Sequence, residues 1–204
     1  MSGPHAVIFD VGNVLYDWNI RLLFEQLVGD ADELDFLLRH VVTLEWHSQH
    51  DAGRPFAETS AELIALHPRF ADAIAAFGPR FGETVPGLLP DMGDIVAQLD
   101  AAGVPLYAIT NFSDEFWEPF RAREAALFDR FRDIVVSGRE KLIKPDPAIY
   151  RLALDRFGLA PHEAIFIDDR EDNVRAAEAL GISVHHFRGA EGLAEELRGL
   201  GLLR

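Results

Sequence analysis

Five short apolar runs set the architecture open to this chain: AVIFDV (6–11), VPLYAIT (104–110), DIVVS (133–137), AIFID (164–168) and SVHHF (183–187). Each has the length and composition of a strand buried on both faces. Between the later runs lie segments of helical period: Asp91–Ala102, Asp114–Ala126, Pro147–Arg156, Asp172–Leu180 and Ala190–Leu200. Gly103, Gly158 and Gly181 stand where a helix would stop and a strand begin. Strand–helix alternation predicts an α/β fold, a Rossmann-like three-layer αβα core with a central parallel sheet covered on both faces.

The first run breaks this rhythm. The stretch from about Trp18 to Leu89 holds almost no strand-like sequence and reads as several helices, around Ile20–Val28, Asp32–Ser48, Phe56–Ala65 and Arg69–Phe81. A right-handed crossover needs only one helix. The surplus predicts an inserted α-helical cap domain over 18–89, with the core formed by 1–17 and 90–204. Pro86-Gly87 and Leu89-Pro90 mark the return hinge.

Composition narrows the function classes. The formal net charge is −15, which repels a phosphate backbone, so no nucleic-acid partner is expected. It also repels small anions at long range, so any anion site must be local, made of a few cations, backbone N–H groups or a metal. There are no cysteines, which excludes disulfides, thiolate metal sites and a cysteine nucleophile. No apolar run is long enough to cross a membrane, and MSGPHAVIFD lacks a basic segment followed by a long apolar one. A cytoplasmic protein, monomer or homodimer, with no membrane partner is the expectation.

In open parallel sheets ligands bind beyond the carboxyl ends of the strands. Asp10 ends the first run, Thr110 and Asn111 end the second, Lys144 follows the third in GREKLIKPDPAIY, and Asp168 and Asp169 end the fourth in FIDDREDN. Any one of these is an ordinary cap or loop residue; their succession at consecutive strand ends points to a site. Three carboxylates in one crevice need a cation, and hard oxygen ligands suit Mg²⁺. Thr110 and Lys144 offer a hydroxyl donor and a positive charge to a phosphate. One carboxylate can then attack phosphorus and form an aspartyl-phosphate that water hydrolyses.

FDVGNV, ITNFS, Lys144 in KPDPAIY and IDDREDNVRAAEALG resemble the four ordered motifs of the haloacid dehalogenase-like (HAD) hydrolase superfamily. The resemblance runs along essentially the whole chain, including a helical (C1-type) cap after the first motif. It is greatest to small bacterial phosphatases beginning FDxGNV, such as the alpha-glucose-1-phosphate phosphatase type. It implies strand order 3-2-1-4-5 with Asp10 central, as nucleophile and metal ligand. It further implies a Gly12 backbone carbonyl on Mg²⁺, Asp169 as acidic ligand, and Asp168 binding the ion directly or through a neighbour. Thr110, Asn111 and Lys144 would bind the phosphoryl group, with Asn13 beside them.

One position departs from that pattern. Most phosphatases of the superfamily carry a second aspartate two residues after the nucleophile, which protonates the leaving oxygen and then activates water. Here Gly12 stands in its place and cannot do acid–base work. A small phosphorylated substrate with a good leaving group, such as an anomeric sugar phosphate, fits that loss; Asn13, Asp17 or a cap residue such as His47 are other ways to place a proton or water. Two alternatives are a metal-independent 2-haloacid dehalogenase, whose halide leaves without a proton, and a catalytically weak phosphate-binding protein. Asp168 and Asp169 argue against the dehalogenase, because paired acids without a cation would blunt Asp10 as a nucleophile. Asn173 stands where many relatives carry a further acid. EWHSQHDAGRPF (45–56), with Trp46, His47, His50 and Arg54, reads as a segment between helices able to close over the crevice, with Trp18 and Arg21 near its edge. Phe112, Phe116 and Trp117 line the pocket or bury the next helix. His185 and His186 read as ordinary packing.

Overall fold

The computed structural model describes residues 3–204, so positions 1 and 2 of the expected core segment 1–17 lie outside the described residues. Five strands, β1 (Ala6–Phe9), β2 (Leu106–Thr110), β3 (Asp133–Val136), β4 (Ala164–Asp168) and β5 (Ser183–His186), form one parallel sheet in the order β3-β2-β1-β4-β5. The order is the expected one, and it places β1 and Asp10 at the centre.

Side chains alternate across a strand with period two, and the sheet sorts them into two apolar clusters. Val7, Phe9, Leu106, Ala108, Ile165 and Ile167 face one cluster. Ala6, Ile8, Tyr107, Ile109, Ala164 and Phe166 face the other. The second face is covered by α10 (Pro147–Phe157) and α11 (Glu171–Glu178), whose Ile149, Tyr150, Ala153 and Ala177 are buried. On the first face lie α6 (Met92–Ala101), α7 (Asp114–Arg123), the single-turn α8 (Ala125–Phe128) and α12 (Ala190–Gly199), and the single-turn α9 (Ser137–Glu140) follows β3 directly. Among the positions where a helix meets a strand, Gly158 closes α10 with φ 66°, a left-handed conformation that glycine adopts without strain.

Between β1 and β2 lie α1 (Arg21–Phe24), α2 (Ala31–His40), α3 (Leu44–Asp51), α4 (Phe56–Leu66) and α5 (Ala71–Phe77). Their buried Leu23, Phe24, Leu37, Ile74 and Phe77 belong to the same cluster as the first sheet face. The helical insert and that face therefore share one continuous apolar interior. The chain leaves and returns side by side: Asp17 N–H donates to Gly87 O at 3.0 Å and Leu89 N–H to Leu15 O at 2.9 Å, where Pro86–Pro90 was expected to hinge.

Three local expectations are corrected. The helix expected over Asp32–Ser48 is two helices, α2 and α3. α2 stops at Val41: Val41 N–H donates to Leu37 O at 3.0 Å and Val42 N–H donates to the same oxygen at 2.9 Å, five residues back, and Thr43 Oγ1 restarts the chain by accepting from Trp46 N–H at 3.2 Å. The segment 45–56 is not a loop between helices, because most of it is α3. The helix around Ile20–Val28 keeps only Arg21–Phe24; Gln26 N–H and Leu27 N–H donate three residues back, to Leu23 O and Phe24 O, in tighter turns. Among the described residues, no helix is long and apolar enough to cross a membrane.

Candidate active site

Asp10 follows β1. Its N–H donates to Ile167 O at 2.8 Å, which extends the sheet by one residue and sends the carboxylate out past the strand ends. Val11 N–H donates to Asp10 Oδ1 at 2.6 Å. The chain then doubles back, with Leu15 N–H and Tyr16 N–H both donating to Val11 O at 2.9 Å. Asn13 makes this turn at φ 56°, a region asparagine tolerates, and its Oδ1 accepts from Trp18 N–H at 3.2 Å. A Cβ at Gly12 would meet nothing nearer than Trp18 Cβ at 4.0 Å, so the turn leaves room for a side chain there. The missing acid is a chemical feature of the site and not a steric requirement.

Lys144 is the hub. Its Nζ lies 2.8 Å from Asp10 Oδ1 and 2.7 Å from Asp168 Oδ2, with the side chain fully buried. Asn111 fixes the lysine backbone through two bonds: Lys144 N–H donates to Asn111 Oδ1 at 2.8 Å, and Asn111 Nδ2 donates to Lys144 O at 3.0 Å. Asp168, also fully buried, accepts in addition from Asn173 Nδ2 at 3.0 and 3.1 Å and from Arg170 N–H at 2.9 Å. Asp169 is half-buried, and its backbone oxygen lies 2.9 Å from His186 Nε2, which secures the ring at the end of β5.

One ammonium among these acids leaves the crevice negative. Burial pushes the Asp10 carboxyl well above the usual range; Lys144 opposes this and the Asp168 charge adds to it. Burial works against the Lys144 charge too, but Asp10 and Asp168 outweigh it and hold the ammonium above its ordinary value. Asp169 is raised, first by burial and then by Asp168. One ligand oxygen from each of Asp10, Asp168 and Asp169 lies within 4.8 Å of the others. Crowded hard oxygens whose charge is under-compensated fit a divalent cation such as Mg²⁺.

These groups open onto a cavity of about 350 Å³. Asp10, Gly12, Asn13, Asn111, Lys144 and Asp169 line its floor. Thr110 and Asp168 lie behind it; Thr110 Oγ1 is buried with no hydrogen-bond partner among the described residues. The roof is formed by Trp18, Leu44, His47 and Asp51, and the walls by Phe81, Val85, Phe112 and Phe120. Trp46 and His50 are turned inward instead: Trp46 Nε1 donates to Thr59 O at 3.3 Å, and His50 Nε2 lies 2.6 Å from Thr59 Oγ1. Arg54 pairs with Glu62 and Arg21 with Asp35, each at 2.8 Å on the surface. Phe116 and Trp117 are buried beside Phe112. Asp51, Phe81, Val85 and Phe120 went unseen in the sequence. Asp51 was detectable as the residue one helical turn after His47, had 45–56 been read as a helix.

A family model of haloacid dehalogenase-like hydrolases matches residues 4–181. The chain is a haloacid dehalogenase-like hydrolase. Among curated relatives, acyl-CoA dehydrogenase family member 10 of Mus musculus is 28% identical over 96% of this chain, which spans only 19% of that protein. A sesquiterpene phosphatase of Aspergillus oryzae is also 28% identical, over 96% of this chain and 95% of its own length. A HAD family enzyme from Bacteroides thetaiotaomicron, solved as a magnesium complex, superposes with a TM-score of 0.75 at 20% identity, covering 96% of this chain and 99% of that one. At that identity the likeness is one of fold, and the HAD-like sheet order agrees with it.

Proposed function

We propose that this HAD-like hydrolase is a Mg²⁺-dependent phosphatase of small phosphate monoesters that passes the phosphoryl group through Asp10. The carrying observation is the buried Asp10–Lys144–Asp168 array at the floor of the cavity, with Asp169 beside it. Asp10 Oδ1 is held by Val11 N–H and Lys144, which fixes the plane of the carboxylate and leaves Oδ2 without a protein donor among the described residues. Asp10, Asp169 and the Gly12 carbonyl would hold Mg²⁺, which when bound lowers the repulsion between carboxylate and phosphate. Asp168 keeps Lys144 in place, and Asn111 positions the same residue through its backbone. Lys144, Asn111 and Asn13 on the cavity floor, with Thr110 behind them, meet the phosphoryl oxygens. The orphaned Thr110 hydroxyl is consistent with a donor awaiting an anion. The helices of 18–89 act as a cap that keeps water from the transfer.

Two substrate classes remain in view. An anomeric sugar phosphate, as for the alpha-glucose-1-phosphate phosphatase type, suits a site that lacks an acid at Gly12. The lining favours an ester with a largely apolar body: away from the floor the cavity presents Trp18, Leu44, Phe81, Val85 and Phe120, with His47, Ser48 and Asp51 as polar groups among them, and the hydroxyl of Tyr16 is engaged by Glu124 at 3.0 Å. The hydroxyls of a sugar ring that faced Trp18, Phe81, Val85 and Phe120 would go unpaired there. The relative named as a sesquiterpene phosphatase agrees with an apolar body. The dehalogenase reading draws support from Gly12 and from an (S)-2-haloacid dehalogenase of Burkholderia cepacia that is 32% identical over 46% of this chain, and the clustered acids oppose it.

Phosphate release from benzyl phosphate, 4-nitrophenyl phosphate, glucose 1-phosphate and glucose 6-phosphate, with Mg²⁺ and with EDTA, tests the reading. Mg²⁺-dependent release abolished in Asp10→Asn is the expected result. Metal-independent chloride release from 2-chloropropionate, with no phosphate release, would replace it with the dehalogenase. Turnover of glucose 6-phosphate at or above glucose 1-phosphate would remove the leaving-group argument.

A further inference from the structure

We propose that Asp51, on the insert helix over the cavity, is the general acid and base of the reaction: it gives a proton to the leaving oxygen, then takes one from the attacking water. This rests on the reading of Asp10 as phosphoryl acceptor, and it supplies the function that Gly12 cannot.

The position is built. Asp51 is the last residue of α3, and that helix end is docked onto the sheet's carboxyl edge: Ser137 Oγ donates to Asp51 O at 2.6 Å. The following turn is seated so closely that a Cβ at Gly53 would fall 2.8 Å from Gly138 O. The Asp51 side chain is about nine-tenths buried, lines the same cavity as Asp10 and Lys144, and its Oδ1 has no partner among the described residues. An unpartnered buried carboxyl oxygen in a ligand cavity is costly unless something else meets it.

The groups around it suit proton transfer. From its own helix, His47 Nε2 lies 3.7 Å from Asp51 Oδ2; the Ser113 N–H faces it after β2, and the Lys144 ammonium after β3. Burial pushes the carboxyl up to about 7, with Lys144 and Ser113 pulling the other way. A group with its pKa near working pH serves well as both acid and base. The other candidates on the cavity wall do not. Burial pushes His47 down to about 4, so it is neutral and its conjugate acid is absent at pH 7. Burial and Glu124 push the Tyr16 hydroxyl far up, and it is hydrogen-bonded to Glu124. Arg170 is occupied by Asp172 at 2.8 Å.

The steps balance. As an Asp10 oxygen bonds to phosphorus, the ester P–O bond breaks and the Asp51 proton moves to the departing oxygen, releasing a neutral alcohol. Asp51, now a carboxylate, accepts a proton from water as the water oxygen bonds to phosphorus. The bond between phosphorus and Asp10 breaks, leaving inorganic phosphate, an Asp10 carboxylate and a protonated Asp51.

The test compares wild type, Asp51→Asn and Asp51→Asn/Gly12→Asp, all with saturating Mg²⁺, on 4-nitrophenyl phosphate and benzyl phosphate. Nitrophenolate leaves without a proton; benzyl alcohol needs one. Asp51→Asn should lower kcat on benzyl phosphate about 10²–10⁴-fold, the range of general acid catalysis. On 4-nitrophenyl phosphate it should give a stoichiometric burst followed by slow turnover, because only the second, base-requiring step is blocked. Gly12→Asp should restore benzyl phosphate turnover in the double variant, since the turn has room for the side chain. Equal losses on both esters without a burst, or kcat on benzyl phosphate within threefold of wild type, would overturn the proposal. If the variants fail to fold, a leaving-group series on wild type decides it: a shallow dependence of the transfer rate on alcohol pKa supports an internal acid, and a steep one refutes it. Absence of Mg²⁺-dependent release from wild type is a different failure, that of the phosphatase reading itself.

Discussion

Replacing Lys144 by methionine should destabilise the ligand-free protein more than any change at the surface. The side chain is fully buried, and among the described residues it is the only cation within ion-pair distance of Asp10 or Asp168. Removing one partner of a buried ion pair costs about 3–5 kcal/mol. Protonation sets the ceiling. An acid of ordinary pKa about 3.9 can be neutralised at pH 7.5 for roughly 5 kcal/mol, at 1.36 kcal/mol per pH unit. Asp168 keeps its bonds from Asn173 and the Arg170 N–H, which places the loss inside that range. At pH 5 the same neutralisation costs only about 1.5 kcal/mol, so the deficit should shrink as pH falls. For a chain of this size the loss corresponds to a Tm lower by roughly 6–20 °C. Urea unfolding in EDTA at pH 7.5 and pH 5, repeated with Mg²⁺ at pH 7.5, reads all of this, and Mg²⁺ should recover part of the deficit. A Lys144→Met protein within about 1 kcal/mol of wild type at pH 7.5 in EDTA, or a deficit independent of pH, would refute the reasoning.

Further outcomes follow from single residues. Thr110→Val should raise the stability of the ligand-free protein by about 1 kcal/mol, because an orphaned buried hydroxyl is removed, while weakening inhibition by inorganic phosphate about 10–100-fold. Burial pushes His47 down to about 4 and His50, with the charges of His47 and Arg54 adding, down to about 3. Both are depressed below their unfolded values, so their contribution is full above about pH 6.5 and is lost as pH falls, by about 2 kcal/mol each at pH 5. Asp51 acts oppositely, since its raised carboxyl makes stability fall as pH rises from about 4 towards 7. A His47→Phe variant should therefore lose less stability than wild type between pH 7 and pH 5, as read by urea midpoints; equal losses would refute the burial argument. Phe81→Ala should raise KM for benzyl phosphate about tenfold more than for glucose 1-phosphate, given the roughly 1.5–3 kcal/mol gained by covering such a ring.

The strands and their ends were legible because a buried parallel strand is a local pattern: a short apolar run, a polar residue where it leaves the sheet, a glycine where the previous helix stops. That pattern placed Asp10, Asn111, Lys144 and Asp169 at one crevice. What surrounds them was less legible because it depends on docking. Asp168 looks like Asp169 in sequence, yet register sends it behind the cavity to hold Lys144 and Asn173. Asn111 is held to the Lys144 backbone by a contact 33 residues away along the chain. The insert misled in a different way. Polar and aromatic residues in 45–56 have the composition of a loop, but Thr43 caps a helix there, and packing decides which members face inward. Asp51 reaches the cavity only because the end of α3 meets the turn after β3.

The central claim is that Asp10 carries the phosphoryl group. Enzyme mixed with Mg²⁺ and benzyl phosphate, quenched in acid within a turnover and mapped by peptide mass, tests it most directly. One phosphoryl group on the peptide containing Asp10, absent in EDTA and absent in Asp10→Asn, is the expected result. Rapid Mg²⁺-dependent phosphate release with no phosphorylated Asp10 peptide at any quench time, in wild type or Asp51→Asn, would contradict it.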